Sequence, residues 1–202
     1  MNFIPGPVGQ LEAIVHPSKQ LHQLGVAVVC HPHPLFEGTM NNKVVTTIVK
    51  TFNKLNITTI RFNFRGVGKS EGSYGNAVGE LEDVLSVIRW VEQHYSNQPL
   101  YLAGFSFGAY IAASAASNVE VKQLILVAPP VHNFNFSILP EFECPWVVVQ
   151  GEQDEVVPAE EVFKWIHSRR QAPEIIKMAN VGHFFHGALM ILQEKLLAVI
   201  SV

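Results

Sequence analysis

The sequence has little cysteine and little charge. Its 202 residues include 2 cysteines, and charged side chains make up 15% of the chain. Two cysteines cannot form the framework of a disulfide-rich secreted domain. Cys30 and Cys144 stand in or beside apolar runs. We therefore interpret both as small buried hydrophobic residues in a reducing compartment.

Basic clusters and long apolar runs are also missing. The 14 basic and 17 acidic residues give a net charge of −3, and the longest basic block is the pair Arg169-Arg170. This charge distribution offers no footprint for a nucleic-acid partner. No apolar run approaches the ~20 residues that span a bilayer, and residues 1–10 lack the apolar stretch of a secretion signal. We expect a cytoplasmic protein with no membrane partner.

Apolar side chains, in contrast, make up 48% of the chain, enough to fill a sizeable core. At ~150 residues per domain, the length predicts a single domain over residues 1–202. Short β-branched runs alternate with longer segments of helical period. The seven predicted strands are Leu11–Val15, Gly25–His31, Ile57–Phe64, Leu100–Phe105, Gln123–Ala128, Trp146–Gln150 and Glu174–Met178. The predicted helices are Val44–Leu55, Leu81–Tyr95, Phe107–Ser117, Pro158–Arg170 and Ala188–Ile200.

The strand runs are almost continuously apolar, which is typical of parallel strands that are covered on both faces. Alternation of strand and helix favours a doubly wound α/β fold with a mostly parallel sheet and helices on both faces. Leu11–Val15 is the weaker run, and we interpret it as an antiparallel edge strand. In such a sheet, ligands and catalytic groups lie in the loops at the carboxyl ends of the strands.

One of these loops has the pattern Gly104-Phe105-Ser106-Phe107-Gly108, between a predicted strand and an alanine-rich helix. A serine on a sharp strand-to-helix turn needs glycine two residues to either side, because a Cβ there would collide with backbone. The helix N-terminus behind it offers free N–H groups to an oxyanion. The alternative is an ordinary tight turn with a capping serine. The strand–turn–helix context favours a nucleophile at Ser106.

An acidic loop and a histidine loop follow the last two predicted strands. Glu152, Asp154 and Glu155 share the first, and His183 and His186 the second. Each of the three acids is a candidate to orient an imidazole, and Asp154 is preferred because the chain has just left its strand there. His183 follows Gly182 at a strand end and is preferred as the base over His186.

The fourth loop, His31-Pro32-His33-Pro34-Leu35-Phe36, follows the second predicted strand. Its two histidines are alternative metal ligands, but no third ligand at zinc spacing accompanies them. The sequence therefore predicts no metal and no cofactor.

The chain resembles the α/β-hydrolase superfamily from about Gly25 to the C-terminus, most of all small members related to dienelactone hydrolases and to prolyl-oligopeptidase-type hydrolase cores. The resemblance rests on residues 31–40 and 61–70, on the serine turn, and on the Asp154 and His183 loops. Asn63 stands where the family frequently has an aspartate, a position that is usually structural.

The resemblance implies a Ser106–His183–Asp154 triad and an α/β-hydrolase fold of about seven strands without a lid, since only residues 131–145 separate two strands where a lid is usually inserted. It also implies an oxyanion hole at the N–H of Phe107 and of the loop after the second strand. Pro32 and Pro34 cannot donate, which indicates Leu35. Phe36, Phe134 and Phe136 are candidates for a shallow acyl site, although the two within 131–145, like Phe142, could simply pack that loop.

The expected function is hydrolysis of a small carboxylic ester or thioester through an acyl-enzyme. A peptidase or amidase of the prolyl-oligopeptidase type, and a non-catalytic binding module on the same fold, are the alternatives.

Overall fold

The computed structural model describes residues 2–19 and 23–202 and contains one eight-stranded sheet. The strands are β1 (Asn2–Gly6), β2 (Gly9–His16), β3 (Val26–Cys30), β4 (Thr58–Phe62), β5 (Leu100–Phe105), β6 (Gln123–Val127), β7 (Trp146–Gly151) and β8 (Glu174–Met178). The helices are α1 (Lys43–Lys54), α2 (Val78–His94), α3 (Phe107–Ala116), α4 (Ala159–His167) and α5 (Leu189–Val199).

The strand order is β1-β2-β4-β3-β5-β6-β7-β8. The six strands from β4 to β8 in this order are parallel, whereas β2 pairs antiparallel with both β1 and β4. The predicted mostly parallel α/β sheet is thus confirmed, and so is the antiparallel pairing of β2. The expectation that this strand forms the edge of the sheet is wrong, since β2 lies between β1 and β4. The predicted count of about seven strands omitted β1.

Strand β1 was missed because it carries none of the usual strand signals. Pro5 and Gly6 interrupt it and Pro7 follows it, and these residues are typical of turns. As an edge strand it pairs only with β2, through a turn at Pro7 and Val8. An edge strand tolerates a proline because its outer side has no pairing to lose.

Helices cover both faces of the sheet, each over its own apolar core. One core gathers buried residues of α2, α3 and α4, such as Val84, Ile111 and Trp165. The other gathers buried residues of α1 and α5, such as Phe52 and Leu192. Burial on both faces explains the near-continuous apolar strands, since β3, β6 and β7 are buried at every position.

The direction of chain winding reverses at β3, which lies between β4 on one side and β5 on the other. In an open α/β sheet, the carboxyl ends of the strands at such a reversal are the usual ligand position. Residues 131–145, all of which are described, contain one short 3-10 turn (Phe136–Ile138) and no helical cap. In the described ranges, no helix combines the length and the apolar character needed to cross a bilayer.

Candidate active site

The site lies at the carboxyl edge of the sheet, where four strands release their loops side by side. Ser106 follows β5 directly, Asp154 follows β7, and His183 follows β8. The loop that begins at His31 follows β3, the other neighbour of β5. Residues far apart in the sequence thus meet because parallel strands end at one edge.

Ser106 occupies a strained turn between β5 and α3. Its backbone angles are φ 54° and ψ −122°, a region that side chains other than glycine adopt at a cost of order 1–3 kcal/mol. The turn is held by Ser106 N–H, which donates to the Val127 carbonyl at 2.9 Å, and by the Ser106 carbonyl, which accepts Ala109 N–H at 2.8 Å. A conformation kept at such a cost is typical of functional sites.

The glycines on either side of the serine permit this turn by having no side chain. A Cβ on Gly104 would lie 2.0 Å from the Gly108 carbonyl oxygen, and one on Gly108 would lie 2.4 Å from the Cys30 carbonyl oxygen. Both obstacles are backbone, which cannot move aside cheaply. The steric reason given for this pattern from the sequence is therefore present in the structure.

A chain of hydrogen bonds links the serine to an acid through His183. The Nε2 atom of His183 lies 3.1 Å from Ser106 Oγ, and its Nδ1 atom lies 2.9 Å from Asp154 Oδ2. The side chains of His183 and Asp154 are 3% and 0% exposed. An Nδ1–H that donates to the carboxylate leaves the Nε2 lone pair of the neutral ring facing the serine hydroxyl.

The Asp154 carboxylate is held in its ionised form by hydrogen bonds. Burial by itself raises the pKa of Asp154, but the hydrogen bond with His183 and those from the Val157 and Val156 amides outweigh burial and bring the pKa below its usual value. The two amides donate to Oδ1 at 2.6 and 2.9 Å. Gln150 Nε2 donates to Oδ2 at 3.2 Å. An ionised carboxylate at this place fixes the orientation and the tautomer of the His183 ring.

The competing acids and the second histidine occupy other positions. Glu155 accepts the backbone N–H of His183 at 3.1 Å, so it positions the histidine loop rather than the imidazole ring. Glu152 and His186 are exposed. The structure therefore brings together Ser106, His183 and Asp154, as the sequence predicted.

His31 is an internal structural residue. It is fully buried; its Nε2 accepts the Phe64 N–H at 3.0 Å, and its Nδ1 lies 2.6 Å from the Pro32 carbonyl. Burial lowers the pKa of His31 to about 3, so the ring is neutral and ties the loop after β3 to the loop after β4. Within residues 2–19 and 23–202, no three His, Cys, Asp or Glu side chains are arranged to hold a metal ion.

The loop after β3 differs in detail from the expectation for Leu35. The N–H of Leu35 donates to Nδ1 of His33 at 3.2 Å, and the Leu35 side chain is exposed. The N–H of His33 finds no acceptor among the described residues. His33 lies between Pro32 and Pro34 and has a backbone N–H. The prediction of Leu35 considered only the two prolines and overlooked this donor.

Aromatic rings surround one side of the serine turn. The ring of Phe107 is buried and lies 4.7 Å from the ring of His33 and 5.4 Å from that of Phe134. Phe134 is partly exposed and Phe36 is 79% exposed. Phe136, in contrast, is 2% exposed and packs on Trp165 at 4.8 Å.

Of the three proposed acyl-site rings, therefore, Phe36 and Phe134 reach the surface and Phe136 does not. Phe136 packs residues 131–145 against the body, and Phe142, also 2% exposed, does the same against Trp146. This packing was the alternative that the sequence left open.

Two further residues of this region carry no sequence signal. Tyr74 lies in a glycine- and serine-rich loop, and its hydroxyl is 3.1 Å from His33 Nε2. Gln150 is the next-to-last residue of β7 and contacts Asp154. A lone polar residue in an apolar strand is the only hint of the second. Asn63, by contrast, has the structural role expected of it, accepting the Met40 N–H and donating to Glu12, both at 2.8 Å.

Comparison with known proteins is consistent with this geometry. A family model described as "Alpha/beta hydrolase domain" matches residues 37–186. An alpha-beta serine hydrolase homologue from Coxiella burnetii superimposes with a TM-score of 0.96 at 50% identity, covering 99% of this chain and 96% of that chain. A serine hydrolase without a lid from Xanthomonas campestris gives a TM-score of 0.92 at 38% identity, covering 96% of this chain and 90% of that chain. An uncharacterized protein of Rickettsia prowazekii (strain Madrid E) is 38% identical over 193 residues, which are 91% of this chain and 81% of the relative.

Proposed function

The chain belongs to the alpha/beta hydrolase family, and from that premise we propose that it is a serine hydrolase that cleaves small carboxylic esters or thioesters. The observation that supports this proposal is the hydrogen-bonded series from Ser106 Oγ through the His183 ring to the Asp154 carboxylate. A serine hydroxyl is too weak an acid to attack a carbonyl unaided near neutral pH, and an adjacent base removes this limit.

In the proposed reaction, Ser106 Oγ bonds to the carbonyl carbon while its proton passes to His183 Nε2. Asp154 holds the ring in the required tautomer and stabilises the imidazolium that forms. The imidazolium then gives its proton to the departing alcohol or thiol. A water molecule, deprotonated by the same base, attacks the acyl-enzyme and releases the carboxylic acid. No step requires a cofactor.

The negative oxygen of the tetrahedral intermediate needs N–H donors, each worth on the order of 10²–10³ in kcat. We propose Phe107 N–H as the first, because it opens α3 and the first amides of a helix have no partner within it. For the second, the pairing of Leu35 N–H with the His33 ring favours the unpaired His33 N–H over the N–H of Leu35.

A fluorophosphonate probe tests the nucleophile directly, because it forms a covalent adduct only with an activated serine. We expect one adduct per chain, located on Ser106 by peptide mass spectrometry, and none in Ser106→Ala. Ser114→Ala is a matched control. It removes a serine hydroxyl from α3, the helix that follows Ser106, and this hydroxyl donates to the Tyr110 carbonyl.

Turnover of nitrophenyl esters and of a matched amide then separates the proposed class from the alternatives. Ester hydrolysis without amide hydrolysis supports the proposal. A faster amide would indicate a peptidase, and a folded wild-type protein without any adduct on Ser106 would indicate a binding module.

A further inference from the structure

The imidazole of His33 is hydrogen-bonded at both ring nitrogens. Its Nδ1 accepts the Leu35 N–H at 3.2 Å, and its Nε2 lies 3.1 Å from the Tyr74 hydroxyl. Because Nδ1 accepts a backbone N–H, the proton of the neutral ring is on Nε2 and points to the tyrosine oxygen. The half-buried position of the ring lowers the pKa of His33, which favours this neutral form.

The backbone of His33 is fixed as well. Prolines on both sides restrict it, and its ψ of 125° lies in the extended range that a following proline imposes. Its carbonyl accepts the Phe36 N–H at 3.0 Å and the Gly38 N–H at 3.1 Å. Every polar group of His33 thus has a partner within the described residues, except its own N–H.

The loop that carries Tyr74 is anchored by the buried carboxylate of Glu80. The amides of Gly75 and Ala77 both donate to the Glu80 carboxylate at 2.8 Å, and Glu80 is fully buried at the start of α2. The tyrosine ring lies 4.9 Å from the His33 ring. The Tyr74 hydroxyl therefore belongs to an anchored loop, and its contact with His33 connects that loop to the loop after β3.

We propose that the His33 imidazole and the Tyr74 hydroxyl form a clamp that holds the His33 N–H in the orientation that an oxyanion requires. The two side chains are positioning residues: they act through the backbone amide. The proposal rests on the proposed hydrolase function. It gives Tyr74 a positioning role in the reaction through its hydroxyl, which lies at His33 Nε2.

The competing explanation is that these rings only fill space around Phe107. The two explanations need different atoms, since packing requires the rings and the clamp requires the heteroatoms. His33→Phe and Tyr74→Phe keep an aromatic ring at each position and remove the hydrogen bonds. Tyr101→Phe is a matched control, because it removes a hydroxyl that donates to the Ser201 carbonyl at the opposite end of the sheet.

The experiment is a double-mutant cycle on kcat and KM with nitrophenyl acetate, with rates expressed per site titrated to completion by the fluorophosphonate. We expect kcat to fall on the order of tenfold in Tyr74→Phe and up to ~10² in His33→Phe, within the cost of losing one oxyanion donor. KM changes less than about twofold, since the amide acts on the transition state. The double variant has the kcat of His33→Phe, because a clamp broken once cannot be broken again.

A purely structural role would instead lower the melting temperature and the titrated fraction while kcat per site stayed unchanged. Wild-type kcat in Tyr74→Phe, or fold-changes that multiply in the double variant, would refute the clamp. If His33→Phe fails to fold, His33→Asn replaces it, because an asparagine oxygen at this capping position accepts the Leu35 N–H. Its kcat then equals that of Tyr74→Phe. A wild-type protein without esterase activity would refute the hydrolase itself, so the two failures are distinguishable.

Discussion

Acidification should destabilise this protein through His31. The ring is fully buried and neutral, and its pKa lies near 3, whereas a histidine of the unfolded chain has a pKa of ~6.5. Below pH 6.5 the His31 side chain therefore binds a proton in the unfolded state but stays neutral in the folded state. The free energy of unfolding falls as the pH falls, and this loss continues until the pH approaches 3.

The magnitude follows from the two pKa values. Each pH unit below 6.5 removes up to ~1.4 kcal/mol of stability. Between pH 8 and pH 5 the contribution of His31 is about 2 kcal/mol, a large part of the 5–15 kcal/mol typical of a domain. Protonation also costs the bond to Phe64, since a protonated Nε2 cannot accept the N–H that it now binds at 3.0 Å.

The assay is urea denaturation at pH 5, 6, 7 and 8 for the wild-type protein and His31→Gln. Glutamine places an uncharged acceptor near the position of Nε2 and cannot be protonated in this range. His16 and His33, whose pKa values are also lowered by burial, contribute to both proteins and cancel in the difference. We expect the stability difference to shift by about 2 kcal/mol in favour of the variant from pH 8 to pH 5. Parallel curves would show that His31 is not the group responsible.

Two further predictions concern activity. Asp154→Asn should lower kcat on the order of 10⁴-fold, as the same change does in a serine protease, while Glu152→Gln on the same loop leaves it unchanged; the reverse result would identify Glu152 as the acid. Each methylene of the acyl chain that the protein buries contributes ~0.8 kcal/mol to transition-state binding. Without a cap over the site, we expect kcat/KM for nitrophenyl esters to increase with chain length only up to about hexanoate. A steady increase through C12 to C16 would reveal a deep acyl tunnel.

Features of the fold and the site could be predicted from the sequence where local residue types determine the local structure. The bounds of β5 and β8 were predicted to the residue. The Ser106 turn was recognisable because its two glycines answer a steric need. Prediction from the sequence failed where a contact depends on how side chains pack, which residue type alone does not decide.

The clearest case is the loop after β3, where proline spacing indicated Leu35 as the donor. The Leu35 amide is taken by a ring nitrogen of His33, a contact that depends on the side-chain torsion and has no signature in the sequence. The distinction between Phe134 and Phe136 is similar: both are phenylalanines of one loop, and only the packing against Trp165 decides which is buried.

The two edges of the sheet bear on how copies of this chain can associate. β1 contains Pro5, which has no backbone N–H to pair with a strand of another molecule. β8 is five residues long and has two exposed charged residues, Glu174 and Lys177. Short edges with charge or proline resist the addition of a strand from another molecule. We therefore expect the chain to withstand high concentration without edge-to-edge aggregation, and any self-association to proceed through helix surfaces or through the exposed loops.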